Sequence, residues 1–122
     1  MIHLHDLPDS AAMHAMETGE FPQELIEADH VAIIMTQSWC IEWLQMSSWL
    51  ARLAKKGKPD EWDIQVYTLM YDKTDYFHRF MEHKEEVFGN HLIPYLRYYS
   101  KGVLKGESNY LPRGAFLQRF DS

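Results

Sequence analysis

The 122-residue sequence contains a single cysteine, Cys40, so no intramolecular disulfide can stabilise the fold. It also lacks a long hydrophobic run: the longest aliphatic stretch, residues 31–35, is far too short to span a bilayer. The first ten residues, MIHLHDLPDS, have no basic segment followed by an apolar one, as a secretory signal requires. These absences favour a cytoplasmic protein without a membrane segment, and the lone thiol agrees with a reducing compartment.

Basic residues are in the minority as well. Twelve Lys and Arg stand against eighteen Asp and Glu, which gives a formal net charge of -6. A chain of this charge has no general attraction for a phosphate backbone, so nucleic acid is not an expected partner. Hydrophobic residues make up 46% of the chain, enough for a packed core, and the length suits one compact domain over residues 1–122.

The seven histidines do not form a recognisable metal motif. His3 and His5 lie two residues apart in a strand-like segment, which does not match the His-x-x-x-His pair of a helical zinc site, and no second cysteine is present. The segment HKEE, residues 83–86, is expected to be a solvated helix face. The sequence therefore predicts no metal and no other cofactor.

The first third of the chain alternates between strand and helix patterns. Residues 2–6 alternate apolar and polar side chains like a short edge strand, and the segment after Pro8 predicts a helix that Gly19 ends. Residues 30–36 are nearly continuously apolar and β-branched, which is typical of a strand buried on both faces of a parallel sheet. This segment is predicted to be the central strand.

A helix is predicted directly after Cys40. The apolar side chains that recur there at helical spacing, and so share one face, are Trp43, Met46, Leu50 and Leu53. A pair of lysines followed by Gly57 and Pro59 predicts that this helix ends near residue 56.

The second half of the chain predicts another strand and helix and then a hairpin. Residues 63–72 have the pattern of a second buried strand, after which Thr74 is expected to cap a helix. The segments YLRYYS and VLKGES, joined by Lys101–Gly102, predict an antiparallel hairpin. A last helix is predicted over residues 112–120, beginning at its proline.

Together these elements predict an α/β fold with a central mixed sheet of about five strands. Helices are expected on both faces of the sheet, in three layers. Cys40 then falls just beyond the carboxyl end of the central strand. In open α/β sheets this is the edge at which ligands and chemistry gather.

Three segments that are far apart in the sequence match motifs of the same protein family. An apolar strand runs into Trp39–Cys40, as in a Trp-Cys-x-x-Cys motif at the start of a helix. In FGNHLIPYLRYY, Phe88–Gly89 and Ile93–Pro94 stand where that pattern has Tyr-Gly and Ile-Pro, and YYSKGV is similar to its last strand turn. In these features the chain resembles the thioredoxin-fold family over nearly its whole length. The resemblance implies a thioredoxin-like fold with a cis Pro94 that lies against Cys40.

The chain departs from the family pattern at several positions. The second cysteine is replaced by Trp43, so the motif is Cys-x-x-Trp. The family's buried acid would fall at Ile34 and its strand lysine at Thr68, and the glycine beside the active site would fall at Asn109 or Tyr110. The resemblance therefore does not imply a dithiol reductase.

Cys40 is the candidate catalytic residue. A thiol at a helix N-terminus has its thiolate favoured by the helix dipole and by free backbone N–H groups. A thiolate can attack a disulfide, but without a resolving cysteine an external thiol must complete the exchange. Glu42 and the neighbouring indoles oppose the thiolate, and the other interpretation of Cys40 is a small, buried, inert side chain.

Two classes of function follow from these residues. In the first, the chain is a monothiol protein of redox homeostasis, at most a weak thiol–disulfide oxidoreductase, acting through Cys40 on a protein or small-thiol partner. In the second, it is a non-catalytic module whose groove binds an extended peptide. The residues expected to contact the partner are Trp39, Trp43, Ile93 and Pro94. A third interpretation is a scaffold whose exposed aromatic residues form an oligomer interface, such as a homodimer.

Overall fold

The computed structural model describes residues 2–56 and 63–120. The strands are β1 (Ile2–Asp6), β2 (Val31–Thr36), β3 (Ile64–Met70), β4 (Tyr95–Ser100) and β5 (Val103–Ser108). The helices are α1 (Asp9–Thr18), α2 (Gln23–Ile26), α3 (Ile41–Lys56), α4 (Phe77–Glu86) and α5 (Arg113–Gln118), and a 3-10 turn (Tyr71–Lys73) follows β3. Among the helices within these residues, none combines the length and apolarity needed to cross a membrane.

The described strands form one five-stranded sheet in the order β1-β3-β2-β4-β5. The strands β1, β3 and β2 are parallel, while β4 runs antiparallel to β2 and to β5. All six residues of β2 are buried, as expected of the central strand. Met35 near the end of β2 lies opposite Tyr95 at the start of β4, so these two ends share one edge of the sheet.

The two faces of β2 supply two hydrophobic clusters. Val31, Ile33 and Met35 face a cluster that includes alanines of α1 and a phenylalanine of α4. Ala32 and Ile34 face the other cluster, to which α3 and α5 contribute. Because successive strand residues point to opposite faces, one apolar strand anchors helices on both sides. The three-layer α/β architecture predicted from the sequence is confirmed.

Two glycine-dependent turns are found where the sequence predicted them. Gly19 ends α1 with φ 93°, and its N–H donates a 2.8 Å hydrogen bond to the carbonyl of Ala15. Between β4 and β5, Lys101 has φ 52° and Gly102 has φ 83°. Positive φ at both central residues is typical of the tight type I′ turn, whose twist matches that of antiparallel strands. The predicted hairpin is therefore confirmed.

Two helix boundaries differ from the prediction, while a third agrees with it. Thr74 does not cap a helix: its hydroxyl donates to the carbonyl of Tyr71 at 2.7 Å, and α4 begins at Phe77. The last helix begins one residue later than predicted, because Pro112 is its cap residue. The helix after Cys40 ends at Lys56, as expected. The predicted stop signal of Gly57 and Pro59 lies outside the described residues.

The HKEE segment is not a solvated face. His83 is 6% exposed and Lys84 is 1% exposed, so both side chains are buried against the sheet. His83 packs between Phe80 and Phe88, with ring centroids 6.0 and 4.5 Å away. The aromatic residues that cover this turn of α4 come partly from a loop beyond the helix, which helical periodicity does not reveal.

Candidate functional site

Cys40 lies at the N-terminus of α3. Its backbone N–H donates to the carbonyl of Gln37 at 3.1 Å, and its own carbonyl accepts a hydrogen bond from the N–H of Leu44 at 3.0 Å. Cys40 is thus the N-cap residue of a 16-residue helix, where the sequence predicted the helix to begin. The residue is only 5% exposed. Little of Cys40 is therefore accessible from outside the chain.

The two tryptophans near Cys40 have opposite environments. Trp39 is 66% exposed, whereas Trp43 is 8% exposed and packs in the cluster that also contains Cys40 and Ile34. Trp43 also lines a cavity of about 260 Å³ between α3 and the ends of β1 and β3, together with Thr68. Trp39 is consequently the tryptophan that is available to a partner, and most of the Trp43 indole contributes to core packing.

The side chain of Gln37 joins Trp39 to Tyr71. The indole Nε1 of Trp39 donates to Gln37 Oε1 at 2.6 Å, and Gln37 Nε2 donates to the Tyr71 hydroxyl at 3.3 Å. Burial raises the pKa of Tyr71, the hydrogen bond from Gln37 lowers it in part, and the negative charges of Glu85 and Asp72 raise it further. Gln37 thus links the exposed indole of Trp39 to the buried Tyr71.

Asp72 fixes the backbone just before the cysteine. Its carboxylate accepts hydrogen bonds from both the backbone N–H and the hydroxyl of Ser38. Sequence reasoning did not select Asp72. Its position just beyond β3, at the same sheet edge as the end of β2, is the signal that could have identified it.

Ile93 and Pro94 lie immediately before β4, and the peptide bond between them is cis. Ile93 packs against the cluster that contains Cys40, and Pro94 is buried. The Pro94 carbonyl accepts a 3.1 Å hydrogen bond from Asn109 Nδ2. Because β4 begins where β2 ends, the sheet brings this segment and Cys40 to one edge. Cys40 and the Ile93–Pro94 segment thus lie at the same edge of the sheet, and the roles of the predicted site residues stay predictions.

Within residues 2–56 and 63–120, no group of three or more His, Cys, Asp or Glu side chains is arranged to hold a metal ion. The histidines of β1 instead bond neighbouring side chains. The imidazole of His3 lies 3.2 Å from Asp63 Oδ1, and that of His5 lies 2.6 Å from Gln65 Oε1.

Comparison with known proteins identifies the fold of this chain but does not place the chain in a family. No family pattern and no curated protein matches the sequence. Oxidised thioredoxin O1 from Arabidopsis thaliana matches at 16% identity and TM-score 0.60, over 96% of this chain and 92% of that one. This chain has a thioredoxin-like fold. Oxidised thioredoxin O2 from the same plant matches at 15% identity and TM-score 0.62, over 94% and 89%. Trxlp from Edwardsiella tarda EIB202 matches at 17% and 0.58, over 97% of both chains.

At these identities the likeness establishes the thioredoxin-like fold and not an activity. Within that fold, the position expected for a second cysteine holds the buried Trp43. The position expected for a buried acid holds Ile34, which is fully buried in the same cluster as Cys40. The thiol is therefore surrounded by apolar groups on its inner side, with no acid at that position to accept a proton.

Proposed function

We propose that this chain is a monothiol protein that exchanges disulfides through Cys40. The observation that supports the proposal is the position of Cys40 as the N-cap residue of α3. There a thiol stands beside the positive end of the helix dipole and the free N–H groups of the first turn, the setting in which reactive cysteines occur. The location of the residue at the sheet edge shared with Pro94 gives a partner segment a place to lie.

The exchange proceeds in two steps. The Cys40 thiolate attacks one sulfur of a partner disulfide, so that a new S–S bond forms and the other partner sulfur leaves as a thiolate. Cys40 has no second cysteine in the chain to displace the bound partner. An external thiol must therefore attack the mixed disulfide, form a disulfide with the partner sulfur and release Cys40 as a thiolate. A reducing compartment such as the cytoplasm would supply that thiol.

The test is intact-mass measurement after incubation with oxidised glutathione at neutral pH. We expect one glutathione adduct per chain, removable by dithiothreitol, and none on the Cys40→Ser variant. The same chain should not support catalytic reduction of insulin disulfides at the rate of a dithiol reductase. Robust insulin turnover would overturn the monothiol assignment, and the absence of any adduct would remove the exchange function altogether.

A second candidate is a non-catalytic module that binds an extended peptide. It is favoured by the contrast between Cys40, at 5% exposure, and Trp39, at 66%. A module of this kind needs an exposed aromatic residue beside a groove but no reactive thiol. It predicts that Cys40→Ser binds a reduced and carboxymethylated insulin B chain as well as the unmodified protein does, and that Trp39→Ala binds it more weakly. Equal binding by all three proteins would contradict it.

A further inference from the structure

Lys84 is a cation buried beneath the loop that precedes Pro94. It is 1% exposed, and its ammonium donates to the carbonyls of Asn90 and Leu92 at 2.7 and 2.9 Å. The same Nζ lies 5.7 Å from the centroid of the Tyr95 ring. Hydrogen bonds from a charged donor are stronger than neutral ones, so two of them hold these carbonyls firmly toward α4.

Several other polar groups of this loop are also bound within the chain. The N–H of Leu92 donates to Asn90 Oδ1 at 2.9 Å, and the side chains of Asn90 and Asn109 bond each other at 2.9 and 3.1 Å. Asn109 holds the carbonyl of Pro94 as well. Between these groups, the backbone N–H and carbonyl of Ile93 have no hydrogen-bond partner in the described part of the chain.

We infer that Lys84 is a positioning residue for the groove beside Pro94. By holding the carbonyls on either side of His91 inward, it leaves the backbone of Ile93 as the hydrogen-bonding edge that an extended partner segment meets. This inference rests on the proposed function, in which a partner disulfide within a peptide lies beside Pro94 while Cys40 attacks it. The occupant is an extended peptide, because unpaired backbone groups are satisfied by another backbone.

The chemistry of Lys84 supports a role for its hydrogen bonds. Burial lowers the pKa of Lys84 to about 8, with a smaller opposing effect of Glu85, so the ammonium is retained at a desolvation cost. An apolar side chain of similar length would avoid that cost but would leave the carbonyls of Asn90 and Leu92 without their donor. The loop would then be free to turn those carbonyls outward and change which groups line the groove.

The experiment compares two disulfide probes on the unmodified chain, on Lys84→Met and on the control Lys73→Met, whose lysine is exposed. The first probe, 2-hydroxyethyl disulfide, is small and tests the reactivity of Cys40. The second is an extended peptide that carries one cysteine as a mixed disulfide. We expect Lys84→Met to form the peptide adduct about tenfold more slowly, equivalent to losing one good hydrogen bond, and the small adduct at an unchanged rate. A merely structural effect would slow both reactions equally and would overturn the inference, as would no change in either.

A second readout separates this inference from the proposed function. Hydrogen exchange at the N–H of Leu92 should be faster in Lys84→Met, because the loop that orients its acceptor has lost its anchor. If the unmodified chain reacts with neither probe, the proposed function fails, and unchanged Leu92 exchange would then overturn the role of Lys84 separately. If Lys84→Met does not fold, Lys84→Gln takes its place, because glutamine keeps a shorter hydrogen-bond donor. For the inference to stand, Lys84→Gln must slow formation of the peptide adduct by less than the about tenfold expected of Lys84→Met, and it must leave the rate of the small adduct unchanged.

Discussion

The carboxylate of Asp72 accepts two hydrogen bonds from Ser38, one from the backbone N–H at 2.9 Å and one from the hydroxyl at 2.6 Å. Ser38 lies two residues before Cys40, and the intervening Trp39 is exposed. This paired contact ties the segment that leads into α3 to the end of β3. It is therefore one of the contacts that keep Cys40 buried at the helix N-terminus.

Replacing Asp72→Ala is expected to loosen this segment. The two donors of Ser38 lose their acceptor, so the free energy of unfolding should fall by about 1–3 kcal/mol. Alkylation of Cys40 by iodoacetamide in the native state should become several-fold faster, because burial of the thiol depends on the order of the preceding residues. Asp72→Asn retains an acceptor and should show smaller changes, and Asp75→Ala is the matched control. An alkylation rate that does not rise in Asp72→Ala would contradict this account of how Cys40 is kept buried.

The variant Trp43→Cys tests whether a second cysteine at position 43 can form a disulfide with Cys40. Residue 43 lies one helical turn beyond Cys40, close enough for the two sulfurs to bond if the first turn tightens slightly. We expect the oxidised variant to lose two hydrogens in mass, and insulin reduction to remain low because the buried Ile34 accepts no proton. Removal of the indole should destabilise the reduced form by about 3–5 kcal/mol. The control Trp43→Ser removes the indole without adding a thiol, so it measures the loss of stability alone. If Trp43→Cys reduced insulin at the rate of a dithiol reductase, a buried acid at position 34 would not be required.

His83 predicts a loss of stability in mild acid. Burial lowers the pKa of His83 below 6.5, and the charge of Arg97 lowers it further. The imidazole Nε2 has no hydrogen-bond partner within residues 2–56 and 63–120. Because the unfolded chain binds the proton more readily, the contribution of His83 to stability is present above about pH 6.5 and is lost as the pH falls below it.

The measurement is urea unfolding at pH 7 and pH 5. We expect the free energy of unfolding to drop between these values by less in His83→Met than in the unmodified chain. His78→Met, which replaces an exposed histidine, should keep the full drop. If His83→Met showed the same pH dependence as the unmodified chain, His83 would not be a source of acid sensitivity.

Arg97 predicts a stability loss of a different kind. This buried guanidinium donates to the hydroxyls of Tyr99 and Tyr95 at 2.7 and 2.9 Å and to Glu20 Oε2 at 2.9 Å. Arg97→Met leaves these acceptors without their donor, so we expect the free energy of unfolding to fall by about 2–3 kcal/mol. The value is below that of a fully buried pair, since the Glu20 side chain is 39% exposed.

Two further variants check the origin of that loss. Arg97→Lys keeps the charge but not the planar fork and should have intermediate stability in urea. Adding Glu20→Gln to Arg97→Met should recover part of the loss, because the carboxylate that has lost its cationic partner is then replaced by a neutral amide. A double variant no more stable than Arg97→Met would locate the effect in packing against Phe88, whose ring centroid lies 4.0 Å from the guanidinium.

Features that depend on neighbouring residues along the chain were predictable. The apolar run of β2, the helical spacing after Cys40 and the two-residue turn at Lys101–Gly102 are local patterns, and each is found where it was expected.

The incorrect prediction of a solvated HKEE segment has the opposite character, because His83 and Lys84 are buried by contacts with the loop beyond α4. The Thr74 error is local: its hydroxyl donates to the carbonyl of Tyr71 in the 3-10 turn after β3, and α4 begins only at Phe77.

The class of fold and the sheet edge at which Cys40 lies could be predicted from the sequence alone. Hydrophobic periods indicate which faces of the elements are buried, and turn residues indicate where the chain reverses. The burial of the thiol and the anchoring of the loop before Pro94 depend instead on how distant parts of the chain pack together. Asp72 bonds Ser38, which is 34 residues away in the sequence. Lys84 bonds the carbonyl of Asn90 in the loop beyond α4, a contact that helical periodicity does not predict. Hydrogen bonds of this kind form only when folding brings the polar groups together. A charged residue that its sequence pattern predicts to be solvated can therefore be buried, provided that backbone carbonyls accept hydrogen bonds from it.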